Sequence, residues 1–480
     1  TGWATDADDF TGLSGSTADL YQTQLTTLDG NTLQQLEVMD CLFYNIGAAI
    51  DAADVGVMDA GQMNTEADTM PIRSIERQTA LGYPDVTVVT SLDPRPADDM
   101  PATQVDLPAG DFFDAVDYYG AFAPNEDWTA GWSLIHSMGV METGDVVEEG
   151  QVVVSADITT DTTWTSDNTY ILDGIIYVTN GASLTIEPGT VIRGMPDSET
   201  EIDNNPGSLV IARGSKIFAD GTADNPIVFT DMNDDNVPGG AKESATYNNN
   251  PNNNITEQWG GVILLGNTYI ARNTADGPDG TAEEQVEGLT RTDASFGGDD
   301  DDDSSGSMTY VSIRYGGFGL QPNEEINGLT MGAVGRGTTL HHIEVVNNVD
   351  DGFEWFGGTV NSKYLITWNI GDDAFDTDRG YRGKSQFGLV VKGACKLGET
   401  QAGGGVANRA FEVDGGNSPD ESQPYALSQW RNFTLIGTTA PADGDFDDTG
   451  IEIRDNGRPQ IFQTIIMDMG GDTVDIAAID

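Results

Sequence analysis

Five acidic clusters carry the residue types and spacings in this chain that can do chemistry. Asp231-Met232-Asn233-Asp234-Asp235-Asn236 alternates oxygen-bearing side chains and offers Asp231, Asn233 and Asp235 to a cation. Asp299 to Asp303 sets five carboxylates in a row, with Asp299 and Asp301 as candidate ligands. Asp443-Gly444-Asp445-Phe446-Asp447-Asp448 is similar to a turn-based calcium loop built on Asp443, Asp445 and Asp447, without the full pattern of an EF-hand. The last two clusters, Asp350-Asp351 and Asp372-Asp373, are displaced from each other by 22 residues. Hard oxygen ligands beside Gly turns suit calcium, whereas softer metals call for His or Cys. His136, His341 and His342 form no metal-binding spacing, and His341 and His342, adjacent on a strand, are expected on opposite faces. For any single loop the competing reading is a set of solvated acidic side chains. For the Asp350/Asp351 and Asp372/Asp373 clusters three readings stand: carboxylates accepting amide hydrogen bonds at bends, a bridging calcium, or catalytic acid and base.

The elements that must position these residues follow from the same displacement. Asp350-Asp351-Gly352-Phe353-Glu354 returns as Asp372-Asp373-Ala374-Phe375-Asp376. A period of roughly 20 to 30 residues is one circuit of a chain that coils and stacks on itself. The predicted fold is all-β, a parallel β-helix solenoid with long loop insertions. Phe411-Glu412-Val413, Ile451-Glu452-Ile453 and Val474-Asp475-Ile476 repeat the alternation of apolar and acidic residues. Glu354, Asp376, Glu412, Glu452 and Asp475 are therefore expected in one column, at intervals of 22, 36, 40 and 23. The longer intervals are single circuits carrying loop insertions. Successive circuits lie about 4.8 Å apart, so stacked carboxylates need a cation, a proton or amide donors. Phe353, Trp355 and Phe375, beside the ladder, are expected in the core.

Lys and Arg number 21 against 79 Asp and Glu, a formal charge of −58. Such a chain repels phosphate backbones, which argues against nucleic acid as a partner. It fits a secreted protein in a salty or calcium-bearing medium, where cations screen or bridge the carboxylates. Hydrophobic content of 38% and aromatic content of 8% suffice for a packed core. No apolar run approaches the roughly 20 residues that span a bilayer. Thr1 follows neither an initiating Met nor a signal peptide and reads as a processed end or a cut edge. Cys41 and Cys395 exclude a disulfide scaffold and a thiolate zinc site, and leave open whether they pair.

Residues 1–147 read as an irregular, aromatic-rich N-terminal module and residues 148–480 as the solenoid. Within the module, Leu33 to Ile46 is strand-like and ends in a Tyr44-Asn45-Ile46-Gly47 bend, much as Ile461 to Gly470 does near the other end. It reads as a β-helix turn placed ahead of the rest. Phe112-Phe113, Tyr118-Tyr119, Phe122, Trp128 and Trp132 are either a sugar-binding platform or anchors that hold an irregular segment against a body. From Gln151 onward, β-branched runs separated by Asp-Gly and Asn-Gly turns mark the first circuits. Residues 231–257 and 273–307 leave the coil as long loops, and the chain returns to it at 259–267 and 310–346.

The stretches ILDGIIYVTNGASLTIEPGTVIRG, GSLVIARGSKIFADGTADNPIVFT, WGGVILLGN, EINGLTMGAVGRGTTLHHIEV and DDGFEWFGGTVNSKYLITWNIGDDAFDTDRGYRGKSQFGLVV closely resemble a family of secreted bacterial right-handed β-helix proteins. These are often attached to the cell surface and largely without assigned activity, with looser kinship to the pectate-lyase-like superfamily. The resemblance covers roughly residues 150 to 480. In that family, segments resembling Asp93-Pro94-Arg95-Pro96-Ala97, Phe112-Phe113 and the Trp128/Trp132 pair follow the β-helix; here they precede it. The chain is then circularly permuted, or one repeat of a longer array, or its front module completes a neighbour's helix. The last possibility implies an extracellular structural protein that polymerises head to tail with itself, with calcium as its cofactor. Two other classes stay open. One is an adhesin whose long loops contact glycans. The other is a calcium-dependent polysaccharide lyase or hydrolase, for which the resemblance implies a groove of Asp351, Asp373, Asp376, Arg379, Arg382 and Lys384. The chain's acidity would repel a polyuronate substrate.

Overall fold

The computed structural model describes residues 37–44, 65–100, 112–134, 150–197, 205–237, 255–321, 324–393, 408–439 and 448–476, with short internal breaks. Parallel pairing gathers most of its strands into three ladders, which form the three faces of a parallel β-helix. Long strands such as Thr339–Val346, Asn361–Trp368 and Lys384–Val391 supply the first two faces in a single pass. Each bends at a left-handed residue, Tyr310, His342, Tyr364, Phe387, Asn432 or Gln463 in successive circuits, with φ from 50° to 64°. Such backbone is strained for bulky side chains. Here the strain is offset by an external stack, with ring centroids 4.3 Å apart for Tyr310–His342 and His342–Tyr364 and 4.9 Å for Tyr364–Phe387.

The same bend corrects the expectation for the two histidines. A left-handed residue breaks the alternation of an extended strand, so His341 and His342 lie on one side with their Nδ1 atoms 2.9 Å apart. Burial pushes His342 down to about 3, which keeps its ring neutral within the stack.

The third face stacks nine strands in chain order, from Ile175–Val178 through Leu329–Gly332, Phe353–Phe356, Phe375–Asp378, Arg409–Val413 and Thr449–Ile453 to Val474–Ile476. Its register pairs Glu354 with Asp376, Asp376 with Glu412, Glu412 with Glu452, and Glu452 with Asp475, the column expected from the intervals. On the inner side of these strands Phe353, Phe375 and Phe411 stack at successive centroid distances of 5.3 Å, and Trp355, Tyr381 and Trp430 fill the interior beside them. The second long excursion is no free loop. Its strands Glu284–Gln285 and Ser295–Phe296 form an antiparallel pair, and Val286, Leu289 and Phe296 bury the outward-pointing Tyr177, Val210 and Ile263 of the third face.

The front of the chain docks on the far end of its own coil. Glu37–Met39 pairs in parallel with Gln460–Phe462, and Leu42–Tyr44 pairs with Ile465–Met467 and then with Thr65–Glu66. These are the segments whose sequences match. Leu42 N–H donates to the Thr464 carbonyl at 3.0 Å and Asp468 N–H to the Tyr44 carbonyl at 3.1 Å. Cys41 and Phe43 point into the coil interior and are fully buried there, while Cys395 lies outside the described residues.

A hairpin of Ile72–Ala80 and Tyr83–Pro96 then covers the outer side of the second face, where Ile72 and Val89 share an apolar cluster with Val346, Trp368, Val391 and Ile436. Arg77 ties it down through the Asp468 carboxylate at 2.7 Å and the Gly437 carbonyl at 2.8 Å. Residues 112–134 run along the corner of the first two faces as a strap. Gln386 exchanges hydrogen bonds with the Asp114 backbone, and Trp128 and Trp132 pack edge-on against Tyr364 and Tyr310 at 5.2 and 5.9 Å. The spaced aromatics are therefore anchors. Among the described residues no helix is long and apolar enough to cross a membrane.

Candidate metal centre on the third face

The bends that lead into the third face stack carboxylates by design of the backbone. Asp351 N–H donates to Asn327 Oδ1 at 3.2 Å, Asp373 N–H to Asp351 Oδ1 at 2.9 Å, and Arg409 N–H to Asp373 Oδ1 at 2.7 Å. Each side chain thus holds the amide of the circuit above it. A short side chain with an acceptor oxygen can do this at a bend, and Asn327, Asp351 and Asp373 stand two residues before the core positions Leu329, Phe353 and Phe375. Asn408 Nδ2 donates to Asp372 Oδ1 at 2.7 Å, so the neighbouring column is tied in the same way.

One oxygen per bend is satisfied in this manner, and the rest of the charge converges. Asp350, Asp351 and Asp372 place carboxylate oxygens within 4.8 Å of one another, as do Asp351, Glu354 and Asp376. Asp351 and Glu354 are buried, and Asp376 Oδ1 is buried without a hydrogen-bond partner. Burial first, then the neighbouring Asp350, Asp376, Asp373 and Glu354, pushes the Asp351 carboxyl well above its ordinary value. Burial followed by Glu412 and Glu354 does the same to Asp376, and burial followed by Glu287 and Asp350 to Glu354.

The later circuits are neutralised differently. Arg409 reaches Glu412 at 2.9 Å and Asp373 at 3.6 Å and also pairs with Glu452. Arg454 reaches Asp414 at 2.8 Å and pairs with Glu412. Although burial raises Glu412, its bond from Asp373 and the two arginines hold it below the ordinary range. Among the described residues no cationic side chain pairs with Asp351, Glu354 or Asp376. An all-oxygen donor set at this spacing fits calcium, which takes six to eight oxygens at about 2.3–2.6 Å.

The remaining candidates are placed elsewhere. Asp231 is buried and closes a turn by accepting from Asn233 N–H at 3.0 Å, and Asp234 beside it accepts from Thr230 Oγ1 at 2.8 Å and faces Arg314 at 3.6 Å. Asp299 lies in the described loop, and Asp301 is held bidentately by Arg382 at 2.7 and 3.0 Å. Burial raises Asp301, but the Arg382 guanidinium brings it below its ordinary value. Asp235, Asp443, Asp445 and Asp447 lie outside the described residues. Asp448, which ends the last motif, pairs with the buried Lys392 at 2.9 Å.

Of the implied groove, the structure brings Asp351, Asp373 and Asp376 together but engages its cations elsewhere. Arg379 pairs with Glu284 and Asp378, Arg382 with Asp301, and Lys384 lies over the Phe113 ring at 5.7 Å. Sequence reasoning placed Glu354 and Asp376 in the column without counting them as ligands, and it missed Arg409 and Arg454. The signal was available, since both arginines sit beside column positions in Arg409-Ala410-Phe411-Glu412 and Glu452-Ile453-Arg454.

A family model described as a pectate-lyase-like beta helix domain matches residues 156–478. No curated protein and no solved structure matches the chain.

Proposed function

Since the chain belongs to the pectate-lyase-like β-helix family, a fold that does not by itself dictate an activity, we propose from its own residues that it is an extracellular structural protein. It binds calcium on the third face and assembles head to tail with further copies of itself. The observation that carries this reading is the imbalance on the acidic column. Asp351, Glu354 and Asp376 converge within 4.8 Å with no cationic side chain among the described residues pairing with them. A carboxylate set kept buried in this way is matched by a divalent cation of the extracellular medium, and a formal charge of −58 is screened by the same medium.

The front of the chain closes the far end of its own coil rather than a neighbour's, so assembly would run through the outermost closing strand, Thr65–Glu66, which among the described residues pairs with Leu42–Tyr44 alone. The closing contacts are parallel strand additions, the same kind by which one coil end continues another. Native protein in millimolar calcium is expected to scatter light as a broad series of species far above the 51.1 kDa of one chain. After chelation the series is expected to shrink toward the monomer. A single sharp monomer peak with calcium present would overturn the reading.

A further inference from the structure

We infer that the joint between copies is the strand Gly150–Val154, which receives the closing rung of the next copy. This rests on the proposed head-to-tail assembly and names its contact. Among the described residues Gly150–Val154 is the first strand of the second face and pairs on one side only, with Asn168–Leu172. Val152 and Val153 are 39% and 54% exposed, the large exposed hydrophobics among the described residues. The strand Gly-Gln-Val-Val-Val has no Lys, no Pro and no bulge, the devices that normally stop an edge from taking another strand.

The occupant follows from polarity and from the opposite end. The second face stays parallel from this strand to Leu42–Tyr44 and Thr65–Glu66, and among the described residues Thr65–Glu66 pairs only with Leu42–Tyr44. Stacked on a common axis, the Thr65–Glu66 end of one copy presents a strand of matching direction to the Gly150–Val154 edge of the next. The coil already accepts a rung that is remote in sequence, because Leu42–Tyr44 seats on Ile465–Met467 in register. Acidic side chains lie towards both ends, Asp161 and Asp167 at one and Glu66 and Asp475 at the other, and cations of the medium screen their repulsion across the joint.

The test is Val153→Lys in the full chain, at a side chain exposed enough to carry a charge without disturbing the fold. With calcium, the variant is expected to melt as the wild type does while its scattered intensity falls at least tenfold, and Val152→Lys is expected to behave alike. If wild type polymerises and both variants polymerise equally, this joint is wrong and the proposed assembly survives. If wild type does not polymerise, both fail. A lowered melting temperature with unchanged assembly would mean that another part of the same chain covers this edge. A series ending at a dimer would mean that two such edges meet head to head. Either result overturns the inference.

Discussion

Phe43→Asp is expected to release the front of the chain from the coil while leaving most of the coil folded. Phe43 is fully buried in the interior, and its strand partner is Ile466. Removing the ring alone costs about 3–5 kcal/mol by analogy with buried Phe truncations. A carboxylate left in that interior without a partner adds a further penalty of about 1–3 kcal/mol or more. In a solenoid each circuit answers mainly to its neighbours, so the loss is local. Strands 37–39, 42–44 and 65–66 detach, and the hairpin of Ile72–Ala80 and Tyr83–Pro96 loses the support next to Arg77 and Asp468. Limited proteolysis reads this as early cleavage within residues 37–97, with the segment from Gly150 to Ile436 surviving. Phe43→Leu, which keeps an apolar side chain, is expected to resist cleavage nearly as the wild type does. Equal resistance of Phe43→Asp and wild type would show that the rung is not seated in the coil.

The second large effect concerns the acidic column and carries a definite sign. Asp351, Glu354, Asp373 and Asp376 have folded values raised well above the ordinary 3.8 for Asp and 4.5 for Glu, burial being the first cause in each. For an acid raised in the folded state, the folded protein holds protons that the unfolded chain has released. The resulting stability is full below the ordinary values and is lost as pH rises through the raised ones. Calcium-free protein is therefore expected to melt at a lower temperature at pH 8 than at pH 5. Calcium reverses the trend by holding the same carboxylates charged. At about 100 times its dissociation constant it adds roughly 2.7 kcal/mol, on the order of 5 °C for a large domain. Asp376→Asn separates this from a purely structural role. It is expected to raise the calcium-free melting temperature at pH 8 and to abolish most of the calcium shift. A melting temperature that falls in the variant, with the calcium shift intact, would exclude the column as the metal centre.

Much of the architecture was legible because its determinants are local and repeat. The return of Asp-Asp-Gly-Phe-Glu as Asp-Asp-Ala-Phe-Asp gave the period, and the 36- and 40-residue steps to Glu412 and Glu452 could be followed because insertions leave strand register intact. The likeness of Leu33–Ile46 to Ile461–Gly470 marked a displaced circuit, though nothing in the sequence said whose coil it closes. What stayed hidden depended on backbone bends and on partners remote in sequence. His342 was misplaced because a left-handed φ of 55° at a bulky residue leaves no trace in a strand-like run. Arg379 and Arg382 were grouped with the acids near them in sequence, whereas their partners Glu284 and Asp301 come from an excursion about 80 to 95 residues earlier, a distance that only the fold brings together.

Hydrogen exchange at the seam is the most direct measurement of whether the front of this polypeptide closes its own coil. Both Leu42 and Asp468 amides are bonded across it, to Thr464 and Tyr44. Peptides spanning 41–44 and 465–468 are expected to share slow exchange in intact protein, and to lose protection together in Phe43→Asp. Exchange of the 41–44 peptide within seconds, beside a 465–468 peptide that stays protected, would contradict the account.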